Sequence, residues 1–104
     1  MVEEIYAMTF DDDKKVERVI QDENIHYIHM VFGKGEGLPE HYANSVVYMS
    51  VVRGMLSIDL DDQGVHCYPA STVLKIPFHT KMNVGNSDEQ TLELIVVKAP
   101  APKN

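Results

Sequence analysis

Five histidines, one cysteine and six methionines are the side chains of this sequence that can ligate a soft ion or move a proton near neutral pH. Their spacing rules out most joint uses. His26 and His29 stand three apart, which on a strand sends them to opposite faces, so they cannot clasp one ion as neighbours. His66 follows a turn-forming run and reads as a surface strand residue. Cys67 is the single cysteine, so it forms no disulfide and no cysteine zinc cluster within the chain; nothing nearby in sequence favours the thiolate, and it reads as a half-buried strand thiol. His41 closes a Leu38-Pro39-Glu40-His41 segment and can act as a general base or ligand contact, or be a partly buried histidine bonded to a neighbouring strand. With Met82, and with Met30 and Met49 on the same interior, it would make a soft site suited to Cu(I); the same methionines equally fill irregular core space or line an apolar pocket. Glu40 and Asn44 can meet a polar ligand group or belong to a solvated loop. Asp11, Asp12 and Asp13 diverge from one another and lack calcium-loop spacing, which makes them a solvated acidic loop.

The elements that must carry these residues are strands. β-branched and aromatic stretches recur between Gly, Pro, Asp and Asn, and helical periodicity is nowhere sustained. The pattern predicts strands near Glu3–Thr9, Lys15–Ile20, Ile25–Phe32, Val46–Val52, Met55–Leu60, Val65–Tyr68, Thr72–Ile76, Lys81–Val84 and Thr91–Lys98. Asp61-Asp62-Gln63-Gly64 tolerates positive φ and should close a hairpin; Asn86-Ser87-Asp88-Glu89 reads as a second such turn, stabilised by Asn86. Gly33 to Pro39 is a flexible loop, because its glycines and proline suit no central strand. One domain over residues 1–98 is followed by a Pro/Ala-rich extended tail, 99–104.

At 104 residues with 44% apolar and 24% charged residues, the chain fits one globular core. A net charge of −7 argues against nucleic acid or an anionic membrane as partner, and no apolar run is long enough to span a bilayer. The opening Met1-Val2-Glu3-Glu4 is unlike a signal peptide, so a cytoplasmic location is expected. Val47, Met49 and Val51 lie on one face of their strand, yet Val46, Tyr48 and Val52 make the other face apolar as well. A second copy is the simplest cover for that face, and a homodimer is expected.

Leu38-Pro39-Glu40-His41, an apolar strand and Arg53-Gly54 before a hairpin resemble the first conserved motif of the cupin superfamily. Tyr68-Pro69-Ala70-Ser71-Thr72-Val73-Leu74-Lys75-Ile76-Pro77, with a strand ending at Asn86, is similar to the second. The resemblance covers roughly residues 28 to 98. It implies an all-β, single-domain, cupin-like antiparallel barrel of the double-stranded β-helix or jelly-roll kind. It also implies an interior metal held by three histidines and a glutamate. At those positions this chain has His41, Ala43, Val47 and Met82, so one imidazole remains from the set. His79 lies near the last histidine position, and a small register shift would turn it toward the pocket.

The function expected from this is small-molecule binding without the usual catalytic metal and with no cofactor, in a pocket of His41, Ala43, Val47, Met49, Met82 and His79. An enzyme working through an atypical His/Met site or through His41 as an acid/base is one alternative. A structural module acting through its dimer surface, its barrel filled by its own side chains, is another.

Overall fold

Where β-branched and aromatic residues alternate between turn formers, the chain is extended, giving β1 (Lys15–Gln21), β2 (His26–Phe32), β3 (His41–Tyr42), β4 (Val47–Arg53), β5 (Met55–Leu60), β6 (Val65–Pro69), β7 (Val73–Ile76), β8 (Lys81–Gly85) and β9 (Leu92–Lys98). The computed structural model describes residues 1–103, and no helix in it is long and apolar enough to cross a membrane. A five-stranded sheet runs β1-β2-β9-β4-β7 and a four-stranded sheet runs β3-β8-β5-β6, with every pair antiparallel. The two sheets enclose one core, which is the double-stranded β-helix expected of a cupin-like barrel.

Alternation decides what goes inside. Ile28, Met30 and Phe32 of β2, Val47, Met49 and Val51 of β4, and Leu92, Leu94 and Val96 of β9 are all buried in that core. Across it lie Leu56 and Ile58 of β5 and Met82 and Val84 of β8. Every buried side-chain nitrogen or oxygen among the described residues has a hydrogen-bond partner.

Six connections cross between the sheets, among them β4–β5 and β8–β9. The chain leaves β4 in one sheet and enters β5 in the other through Gly54 alone, at φ +84°, with the Thr91 carbonyl and Leu92 packed against its α-carbon. On the far side Asn86 links β8 to β9. Its buried amide donates to the carbonyls of Phe32 (3.0 Å) and Gln90 (2.8 Å), and its carbonyl accepts from the Asp88 amide. The expected turn is present, but it crosses between sheets and closes no hairpin. The Asp61–Gly64 turn does close one, between β5 and β6, with Asp61, Asp62 and Gly64 all at positive φ.

Other expectations need correction. Glu3–Thr9 is no strand: no neighbouring strand offers it a ladder, and residues 1–14 run as an exposed arm whose Thr9 amide donates to the Glu17 carboxylate at 3.0 Å. The short strand β3 was not anticipated; it forms because His41 and Tyr42 find Met82 and Lys81 opposite them. Cys67 is exposed rather than half-buried, since β6 borders its sheet and pairs only with β5. The tail is tied down: the amides of Ala99 and Ala101 donate to the carbonyls of Val46 and Asn24 at 3.1 and 2.9 Å. Asn104, the last residue of the expected tail, lies outside the described residues.

Candidate functional site

At one end of the barrel, where β3 and β8 face β1, β2, β9 and β4, the two sheets leave a cavity of about 250 Å³. Its floor is apolar because inward-facing positions of four strands converge there: Ile28 and Met30 from β2, Val47 and Met49 from β4, and Val96 and Met82 from β9 and β8. Its mouth is polar, with Arg18, His41, Asn44 and Lys98 around it.

The four positions that the cupin resemblance assigns to metal ligands, His41, Ala43, Val47 and Met82, all line this one cavity. His41 and Met82 sit directly opposite each other in the β3–β8 register. Ala43 is held in place by backbone bonds to the 79–80 turn: its amide donates to the Thr80 carbonyl and its carbonyl accepts from the His79 amide, both at 2.8 Å. Met49, the fifth expected residue, is there as well. His79 is not. It sits at φ +70° in the tight Pro77–Thr80 turn, exposed, with its ring stacked on Phe78 at 3.9 Å. Met82, and not His79, takes the place opposite His41, so the imagined register shift does not occur.

His41 is half-buried, and its Nδ1 donates to the Pro39 carbonyl at 2.9 Å. A carbonyl only accepts, so Nδ1 carries a proton and in the neutral ring Nε2 keeps the lone pair. Among the described residues no group of three His, Cys, Asp or Glu is placed to hold a metal ion. Alanine and valine have no donor atoms, so the residues present do not fit the three-histidine, one-glutamate centre that the fold family implies.

Arg18, Asn44 and Lys98 complete the mouth, and of these only Asn44 was singled out in the sequence. The signal for Lys98 was nevertheless present: Leu92, Leu94 and Val96 are the inward series of β9, and Lys98 is its next member. Val16 and Arg18 of β1 likewise pair with Met30 and Ile28, both inward-facing, before the strand bulges between Arg18 and Ile20. Lys98 Nζ donates to Asn44 Oδ1 at 3.0 Å. Burial, followed by the positive charge of Arg18, holds its ammonium below the ordinary lysine value. Glu40 stays outside the cavity, exposed and accepting from Asn83 Nδ2 at 3.1 Å.

On the outer face of the larger sheet lies a second polar cluster that spacing did not suggest. His29 is 1% exposed, with Nδ1 3.0 Å from Glu17 Oε1 and Nε2 2.6 Å from Glu93 Oε2. Glu93 Oε1 also accepts from Arg53 Nε at 3.2 Å, and Arg53 reaches Asp12 at the base of the arm at 2.7 Å. Hydrogen bonds from the Thr9 hydroxyl and amide, then from His29, hold the Glu17 carboxyl down at about 2. The cluster ties the arm to the sheet and is separate from the cavity.

No family model matches the chain. It is 36% identical over 104 residues to an uncharacterized protein of Methanocaldococcus jannaschii, an alignment spanning 99% of this chain and 90% of that one. The crystal structure of a cupin from that organism, an RmlC-like family protein with a double-stranded β-helix fold, superposes with a TM-score of 0.95 at 36% identity over 98% of this chain and 94% of the other. A Cupin 2 conserved barrel domain protein of Salinispora arenicola gives 0.76 at 15% identity, covering 93% and 88% of the two chains. A cupin superfamily protein of Desulfitobacterium hafniense gives 0.75 at 15%, covering 89% and 83%. At those identities the last two speak to the fold alone.

Proposed function

Because the chain belongs to the RmlC-like cupin family, we propose that it is a small-molecule-binding barrel working without that family's usual metal. The observation that carries this reading is the cavity itself: it is open at the mouth, apolar on its floor, and lined at three of four expected ligand positions by Ala43, Val47 and Met82. Small-molecule sites are mostly apolar with a few placed polar groups, and His41, Asn44, Arg18 and Lys98 supply those groups. A barrel filled by its own side chains would leave no such space.

The test is elemental analysis of untagged protein, as isolated and after incubation with Fe(II), Mn(II), Zn(II) and Cu(I) followed by desalting. No metal is expected to remain near one equivalent per chain. Stoichiometric retention of any of them, abolished in His41→Ala, would overturn the metal-free reading; retention of Cu(I) alone would point to His41 with the methionines.

We also propose that two copies associate through the outer face of the larger sheet. Val52 and Val73 are exposed there, with Tyr48 beneath Lys75 Nζ at 5.7 Å, and the arm adds exposed Val2, Ile5 and Phe10. Light scattering is expected to give about twice the 11.8 kDa chain mass, and Val52→Asp combined with Val73→Asp to return it to one. A wild-type chain that stays monomeric across the accessible concentration range would end the idea.

A further inference from the structure

Building on the small-molecule reading, we infer that the mouth of the barrel recognises an amphipathic carboxylate: Arg18 and Lys98 take the anionic head, and the floor of Met49, Met82, Val47 and Val96 takes a hydrocarbon body.

Charge is distributed in a way that burial alone does not explain. The chain carries sixteen acidic and nine basic residues, yet no Asp or Glu lines the cavity while two of the basic residues do. Lys15, Lys34, Arg53 and Lys81 each meet a carboxylate within the chain. Among the described residues Arg18 and Lys98 meet none, as is also true of Lys14, Lys75 and Lys103, but only Arg18 and Lys98 line the cavity, and Lys98 bonds only the neutral Asn44. Strand alternation turns both inward, onto the same face as Val16 and Val96. The exposed Arg18 and the half-buried Lys98 line one mouth, where their like charges repel, and burial strips Lys98 of part of its hydration. A bound anion would relieve both costs.

The groups present suit a carboxylate head. The guanidinium fork presents paired N–H donors matched to two carboxylate oxygens. An ammonium has three donors, and Asn44 takes one of those of Lys98, which orients the other two. Size limits the body. A cavity of roughly 150 Å³ holds benzene, so about 250 Å³ accommodates one ring with a short side chain or a medium aliphatic chain. A wholly hydrophilic anion would leave the apolar floor uncovered.

Calorimetric titration of the intact chain at low salt tests this with octanoate and phenylpropionate, their neutral counterparts octanol and phenylpropanol, and inorganic phosphate alone. The carboxylates are expected to bind at least about tenfold more tightly than the alcohols, and Lys98→Met and Arg18→Gln each to lose about tenfold. Lys98→Met without ligand should also melt higher than the wild type, because it keeps the side-chain volume and removes a half-buried charge disfavoured first by burial and then by Arg18; a residue needed only for structure would melt lower. Alcohols that bind as well as carboxylates, or carboxylate affinity unmoved by both substitutions, would overturn the inference and leave the small-molecule reading standing. Phosphate binding as tightly as phenylpropionate would remove the hydrocarbon half of it. No binding of any probe at millimolar concentration would overturn the inference and count against the small-molecule reading as well.

Discussion

Gly54→Ala is expected to destabilise the barrel by about 3–5 kcal/mol, enough to leave little folded protein at 37 °C if its stability is at the low end of the usual range. Two costs add. At φ +84° an alanine is held in the left-handed region, at about 1–2 kcal/mol. Its Cβ would also stand 2.4 Å from the Thr91 carbonyl oxygen and 3.0 Å from Leu92 Cα, and both obstacles are backbone at the entry of β9, the central strand of the larger sheet. Neither can swing aside as a flexible side chain would. Gly64→Ala separates the two terms: it too has positive φ, at +102°, but nothing lies within 4 Å of its added Cβ, so only the strain of about 1 kcal/mol should appear. Urea unfolding of both variants is the measurement. Equal losses would mean that the crossing from one sheet to the other is looser than the packing around Gly54 indicates.

His29→Leu is expected to cost about 2–4 kcal/mol although it preserves volume and adds apolar surface. Its ring stands between two carboxylates, and the imidazolium is the form that donates to both. Leucine would leave Glu17 and Glu93 facing each other with no donor between them. Breaking a fully buried pair costs about 3–5 kcal/mol, and the discount reflects carboxylates that remain 26% and 25% exposed. Glu17→Gln in the His29→Leu background should recover part of the loss, because one of the two opposed charges is gone.

The same cluster sets an acid limit. Glu17 is held at about 2, below the ordinary 4.5, so its folded form binds a proton less readily than the unfolded chain. Its contribution is therefore fully present above about pH 4.5 and is lost as the pH falls through about 2. Melting temperatures followed from pH 6 down to about pH 2 should decline less steeply in Glu17→Gln than in the wild type.

Sequence pattern carried most of the barrel, and the cases where it did not share a cause. Val47, Met49 and Val51 could be assigned to the interior because alternation is a local property, and eight of the nine strands lie close to where that alternation put them. The position of His41 opposite Met82 was legible only through the order of the two cupin-like motifs, since β3 is two residues long and has no period to detect. The arm shows the reverse problem. Residues 3–9 have strand-like composition, but composition cannot supply the partner that a ladder requires. The cluster around His29 was invisible in the sequence because its carboxylates come from twelve and sixty-four residues away. Lys98 was overlooked for a different reason: a lysine at a strand end is usually solvated, and its inward direction matters only once the cavity is known to open there.

Cys67 stands exposed on the bordering strand β6, with Ser57 Oγ 3.7 Å from its sulfur, and it is outside the cavity lining. As the single thiol of the chain it allows one nitroxide to be attached to unmutated protein without touching the mouth of the barrel. An isolated chain then carries one electron spin, whereas a symmetric pair carries two at a fixed separation. The decay of a dipolar echo would report that separation directly, so a cysteine with no part in the pocket serves as a molecular ruler for assembly.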